Sequence, residues 1–257
     1  MRADTLSQWK LIMHNAAQHS VVSDALAGFA VAALPASAES ALGAARDALT
    51  HARLLTDPAT RSTAQITALL QSQGSATTDS RTRAWILGTS LATQAAASPA
   101  MPVLAAVIAT GDKLGSSESD AIAAVAIGTE AATRILAAVD SDEFRARWNV
   151  ASSVGLLGAV LAVSRLLRLD EAHTRHALGI AATQAAGLAH NADHAMEAIE
   201  IGKAAADALE AAMIAKHGFT SAAASIDGRR GFAALMAYRF DASAITDALG
   251  TRWTSLD

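Results

Sequence analysis

Alanine carries most of the apolar character of this chain, and that narrows its fold more than any motif does. Hydrophobic residues make up 52% of the 257 positions, whereas aromatics make up only 4%. Alanine is the strongest helix former, and faces of alanine and glycine let helices approach closely. Strands draw on Val, Ile, Thr and aromatic side chains, which are thin here. The composition therefore predicts an all-α protein. Residues 169–188 show the pattern most clearly. Asp170 and Glu171 stand in a first turn, where acids face the positive end of the helix, and Ala, Gly and Ile follow.

Capping residues, prolines and glycines cut the chain into roughly ten helices. They are expected over about 22–33, 38–55, 59–71, 82–97, 101–114, 118–139, 149–167, 170–189, 196–217, 231–237 and 241–249. Thr56-Asp57-Pro58 reads as a stop, Asp140 to Arg147 as a charged connection, and Gly218 as a C-cap. Glu130 and Arg134 form a favourable i,i+4 pair. No linker divides the series. The expected organisation is an N-terminal extension over 1–22 and one helical domain over 23–257.

Several function classes are excluded. Net charge is −4 and no basic cluster appears, so nucleic acid is not an expected partner. The chain has no cysteine, which removes disulfides, thiol nucleophiles and zinc–thiolate sites. No glycine-rich phosphate loop and no established metal motif appears, so no cofactor and no metal are expected. Met1-Arg2-Ala3-Asp4 does not open a signal peptide, and the expected location is cytoplasmic. Two uncharged runs, 84–111 and 148–164, are interrupted by Pro99 and Pro102 or by Asn149, Ser152 and Ser153. They read as buried helices rather than membrane spans.

Several segments in order carry a resemblance. They are Ala84-Trp85-Ile86-Leu87-Gly88-Thr89-Ser90-Leu91-Ala92, Ile127-Gly128-Thr129-Glu130-Ala131-Ala132-Thr133-Arg134, Arg147-Trp148-Asn149-Val150, Ile201-Gly202-Lys203-Ala204-Ala205, Lys216-His217-Gly218-Phe219-Thr220 and Gly228-Arg229-Arg230-Gly231-Phe232. Together they resemble the helical domain of the MmgE/PrpD family over about residues 24–253. The resemblance implies an all-α helical domain, a homodimer formed through it, and proton transfer next to carboxylates. The family continues into a smaller α/β domain at about Gly250 to Trp253. The expectation here is the helical domain without that lid.

Where the family keeps its acid–base residues, other side chains stand. Its His-x-Leu-Asp-x-Asp-Asp run falls on Ala92 to Ser98, which reads Ala-Thr-Gln-Ala-Ala-Ala-Ser. Its helix-starting histidine falls on Asn149, which cannot exchange protons near pH 7. Its Lys-Pro-Leu-His falls on Glu197-Ala198-Ile199-Glu200. A cation has become a carboxylate there, which repels a polyanion.

The remaining polar residues support competing readings. His190, His194, Glu197 and Glu200 are close in sequence. Ala189 to Ala195 is either a solvated connection, with the glutamates complementing the next helix, or one wall of a substrate pocket, or a metal site. Asn149, beside Trp148, is either an N-cap or an anchor for an anion or carbonyl oxygen at a helix N-terminus. Thr89, Ser90, Thr93, Gln94 and Ser98 are either ordinary helix polar positions or the lining of a neutral pocket. The enzyme reading is a divergent isomerase, dehydratase or cyclase acting on a small, less charged molecule in specialised metabolism. Its expected catalytic residues are Glu197, His194 and Asn149, with Trp148, Gln94, Thr93, Ser98, His190 and Glu200 binding substrate. The other reading is a non-catalytic helical scaffold that pairs with itself or a full-length relative.

Overall fold

The computed structural model describes residues 19–56 and 64–255. Most of the expected 1–22 extension and the Asp57-Pro58 stop lie outside the described residues. The described chain is all-α, with twelve α-helices and no strands. They are α1 (Val21–Val31), α2 (Glu39–Leu55), α3 (Ala64–Ser72), α4 (Ser80–Ala92), α5 (Ala100–Leu114) and α6 (Glu118–Val139). Then come α7 (Asp142–Arg147), α8 (Val150–Leu166), α9 (Glu171–Ala182), α10 (Ala195–Lys216), α11 (Phe232–Met236) and α12 (Ala242–Thr246). Single 3-10 turns occupy Ala36–Ala38 and Ala189–Asn191.

Short polar side chains fix most starts by accepting an otherwise unpaired amide of the first turn. Asp79 takes the Thr82 amide at 2.8 Å, Asn149 that of Ser152 at 3.0 Å, and Asp170 that of His173 at 2.8 Å. Ser117 opens α6 and Ser141 opens α7 in the same way. Gly115 closes α5 at φ 62°, and Gly218 follows α10 at φ 86°, left-handed backbone that glycine adopts without strain.

The centre of the protein is α8. All its residues except Val150 and Arg165 are buried, as expected of a helix that is apolar all round. It packs on α5, α6, α9 and α10, while α4 lies along α10. Alanine and glycine set these distances. A Cβ at Gly158 would stand 2.3 Å from the Gly128 carbonyl oxygen, where α6 meets α8. A Cβ at Gly88 would stand 2.7 Å from the Gly202 Cα, where α4 meets α10. Among the described residues one helix, α6, is long and apolar enough to cross a bilayer, and 72% of its apolar window is buried inside the protein. The run 84–111 is divided between α4 and α5, and α8 is a shorter apolar helix.

Three expectations need correction. The stretch 140–147 is not a plain connection: Ser141 caps α7 there, and Phe144 is fully buried. The helix expected over about 82–97 ends at Ala92, where the Gln94 side chain folds back: its Nε2 donates to the Leu55 carbonyl at 3.0 Å and to the Ser90 carbonyl at 2.8 Å. The helix expected to run to about 189 ends at Ala182, because the chain turns away to pair Leu188 with Trp148 in an isolated antiparallel bridge.

Candidate functional site

The bridge brings three segments to the buried start of α8. Asn149 is 5% exposed. Its amide donates to the Gly187 carbonyl at 3.0 Å, and its side-chain oxygen caps α8. Its Nδ2 is left to point at Glu197 Oε1, 3.4 Å away in the first turn of α10. The capping role is therefore present, and the contact with Glu197 is present beside it. Glu197 Oε2 also receives the Asp193 amide at 3.4 Å, which ties the preceding loop to the helix.

Glu200 lies one turn further along, on the same face as Glu197. Asn191 Nδ2 donates to its Oε1, while its Oε2 is buried without a partner among the described residues. Glu200 borders a cleft of about 300 Å³ between α8, the 183–188 segment and α10. Trp148, Ser152, Gln184, Gly187, Lys203 and Asp207 are among its other walls. Lys203 pairs with Asp207, which also meets Arg81 at 3.4 Å. The Trp148 indole donates to the Met236 carbonyl at 3.0 Å, and the Arg147 guanidinium stands 5.3 Å from its ring.

The remaining sequence candidates are distributed more widely. His190 and His194 are exposed, and His194 is the N-cap residue of α10 without a side-chain capping bond. The connection 189–195 is thus largely solvated, with Glu197 reaching back from the helix it precedes. Thr89, Ser90 and Thr93 line a second cavity of about 480 Å³, whose walls carry no charged side chain. Ile66 and Leu69 of α3 and Ala198 and Ile199 of α10 complete much of it. Gln94 instead ties α4 to the end of α2, and Ser98 accepts the Met101 amide through its carbonyl at 3.1 Å. Among the described residues, no three His, Asp or Glu side chains converge as a metal site would require.

Sequence reading missed Gln184, Ser152, Lys203 and Asp207. Gln184 was hidden because its segment reads as continuous helix, and only the Gly187 break reveals it as a wall. Lys203 and Asp207 were legible as an i,i+4 pair, but nothing in their spacing places them beside Trp148.

The model of the MmgE/PrpD N-terminal domain matches residues 91–246, more than half of the chain. The matched span contains Asn149, Glu197, Glu200 and the cleft beside them. No curated protein matches the chain.

Proposed function

The chain belongs to the MmgE/PrpD family through its N-terminal helical domain, and from that premise we propose that it is an acid–base enzyme acting on a small molecule less anionic than a tricarboxylate. The observation that carries this reading is the meeting of Asn149 Nδ2 and Glu197 Oε1 at 3.4 Å at a helix N-terminus, one turn from Glu200, which borders a cleft. A carboxylate placed there can accept a proton from a carbon next to a carbonyl and return it elsewhere. Returned to another carbon, that proton completes an isomerisation; delivered to a β-hydroxyl, it lets the C–O bond break with loss of water; delivered to the oxygen of a carbonyl that the carbanion has attacked, it completes a cyclisation. Asn149 supplies a neutral donor that orients the carboxylate or a substrate oxygen. Glu197 and Glu200 together oppose a polyanion at close range, which supports a substrate with fewer carboxylates.

Proton NMR of the full chain in D2O tests this. The panel holds 2-methylcitrate, cis-aconitate, and β-hydroxy and enone compounds with one carboxylate or none. Exchange or turnover of the less anionic compounds, abolished in Glu197→Gln, is the expected result. Turnover of a tricarboxylate would overturn the charge argument. Silence across the panel would favour the second reading, a binding or scaffold relative. That reading draws on Leu188, Leu235 and Tyr238, which are 56%, 66% and 75% exposed and offer apolar surface to a partner chain.

A further inference from the structure

Glu200 and Gln184 border the cleft beside Gly187, and each has one buried side-chain oxygen, Glu200 Oε2 and Gln184 Oε1, that bonds to nothing among the described residues. Both are buried acceptors. An acceptor buried without a donor is destabilising, a charged one more so, so such a pair needs an explanation. The neighbouring donors do not provide one. Ser152 Oγ donates to the Ala186 carbonyl at 2.9 Å, and Trp148 Nε1 is committed to Met236. Lys203, the one cation among the lining residues, is held by Asp207. Asn191 satisfies only the other oxygen of Glu200.

Charge points the same way. Of the two lining carboxylates, Asp207 is paired with Lys203 and with Arg81 at 3.4 Å, whereas Glu200 meets no cation among the described residues. Glu197 stands one turn from Glu200 and adds to the negative potential. Trp148 is among the lining residues, and its ring already attracts one cation, the Arg147 guanidinium at 5.3 Å. Gly187 lets the loop approach: a Cβ there would lie 2.1 Å from Ser152 Oγ and 3.3 Å from Glu200 Oε2. The volume, about 300 Å³, is at the small end of ligand sites.

We propose that this cleft binds a protonated amine, with Glu200 as its counter-ion and Gln184 Oε1 as a second acceptor. On the acid–base reading above, on which only this last step rests, the substrate is then an amine-bearing small molecule. The ammonium sits against Glu200, one helical turn from the Glu197 carboxylate.

Calorimetry and amide NMR of the full chain test binding with three compounds of one length: 1,4-diaminobutane, 1,4-butanediol and succinate. The diamine should bind saturably, weaken with added salt, and shift the Gly187 amide and the Gln184 side-chain amide. The diol and succinate should not. Glu200→Gln should weaken diamine binding at least tenfold. Gln184→Glu, which adds a charge at the second acceptor, should tighten it. Equal binding of the diol, binding of the diamine that is insensitive to both variants, or no saturable binding of the diamine would each overturn the proposal. Diamine binding at this cleft without proton exchange on any substrate would remove the acid–base reading and leave the amine site standing. Exchange on neutral substrates with no amine binding would do the reverse.

Discussion

Glu130 and Arg134 form an ion pair of 2.6 Å that is closed to solvent on both sides, each side chain being 0% exposed. The pair holds down the last described segment. Arg134 donates to the carbonyls of Ile245, Asp247 and Arg252 at 2.9, 2.8 and 2.7 Å. Glu130 receives the amides of Thr254 and Ser255 at 2.9 and 2.8 Å. Removing one partner strands the other charge and several backbone groups, a loss of about 3–5 kcal/mol. Arg134→Met is expected to lower stability by that amount in urea denaturation, and to expose the amides of 246–255 to hydrogen exchange.

The same pair sets an acid limit. Burial alone would push the Glu130 carboxyl up, but the Thr254 amide, the Arg134 guanidinium and the Ser255 amide outweigh it and hold it below the usual value of 4.5. The ionised form is therefore favoured by folding. Its contribution is complete above 4.5 and disappears as the pH falls through the lower folded value. Urea midpoints measured downward from pH 6 should decline for the native chain. In Glu130→Gln, which starts lower, that part of the decline should be missing.

His176 adds a second slope at higher pH. Burial and the neighbouring Arg175 charge depress its pKa below 6.5, and its Nδ1 accepts the Ser221 amide at 3.2 Å. Protonation there removes the acceptor. The contribution is complete above 6.5 and falls as the pH drops through the depressed value. His176→Asn keeps an acceptor and does not titrate. Its urea midpoint should change less than that of the native chain between about pH 6.5 and 5, the window below the ordinary histidine value. Equal slopes would remove His176 as the source.

Glycine tolerance should separate close packing from free helix surface. A Cβ at Gly202 would lie 2.3 Å from Thr89 Oγ1 and 2.4 Å from the Trp85 carbonyl oxygen, whereas a Cβ at Gly43 meets nothing within 4 Å. Gly202→Ala should force α4 and α10 apart and cost about 1–3 kcal/mol. Gly43→Ala, inside α2, should instead gain about 0.5–1 kcal/mol from the better helix former. Thermal unfolding of the two variants reads both signs.

Helix content was legible because alanine composition and capping residues act locally. Glu118–Val139 follows directly from Ser117 and the acids of its first turn. The end of α9 was not legible, since Ala-Ala-Thr-Gln-Ala-Ala is helical by propensity. Tertiary pairing of Leu188 with Trp148 and of Gly187 with Asn149 overrides it. The site divides the same way. Asn149 as a cap and Glu197 in a first turn could be read from neighbours in sequence. Their contact spans 48 residues and depends on how α8 and α10 cross, which glycines and alanines fix only once packed. Gln184 came into view with the same loop.

Asn149 does two things that one substitution can separate. Its oxygen caps α8 by accepting the Ser152 amide at 3.0 Å, while its nitrogen meets Glu197 at 3.4 Å. Serine is as good a cap as asparagine, whereas alanine at a cap costs about 0.5–2 kcal/mol. Asn149→Ser should therefore unfold within about 0.5 kcal/mol of the native chain, as equal capping ranks imply, and Asn149→Ala should fall below both. Serine's single short hydroxyl cannot cap α8 and still reach Glu197, so Asn149→Ser should lose most of any Glu197-dependent proton exchange while remaining folded. If exchange instead tracks stability, surviving in Asn149→Ser and weakening only in Asn149→Ala, then Asn149 serves the helix and the carboxylate works without its nitrogen.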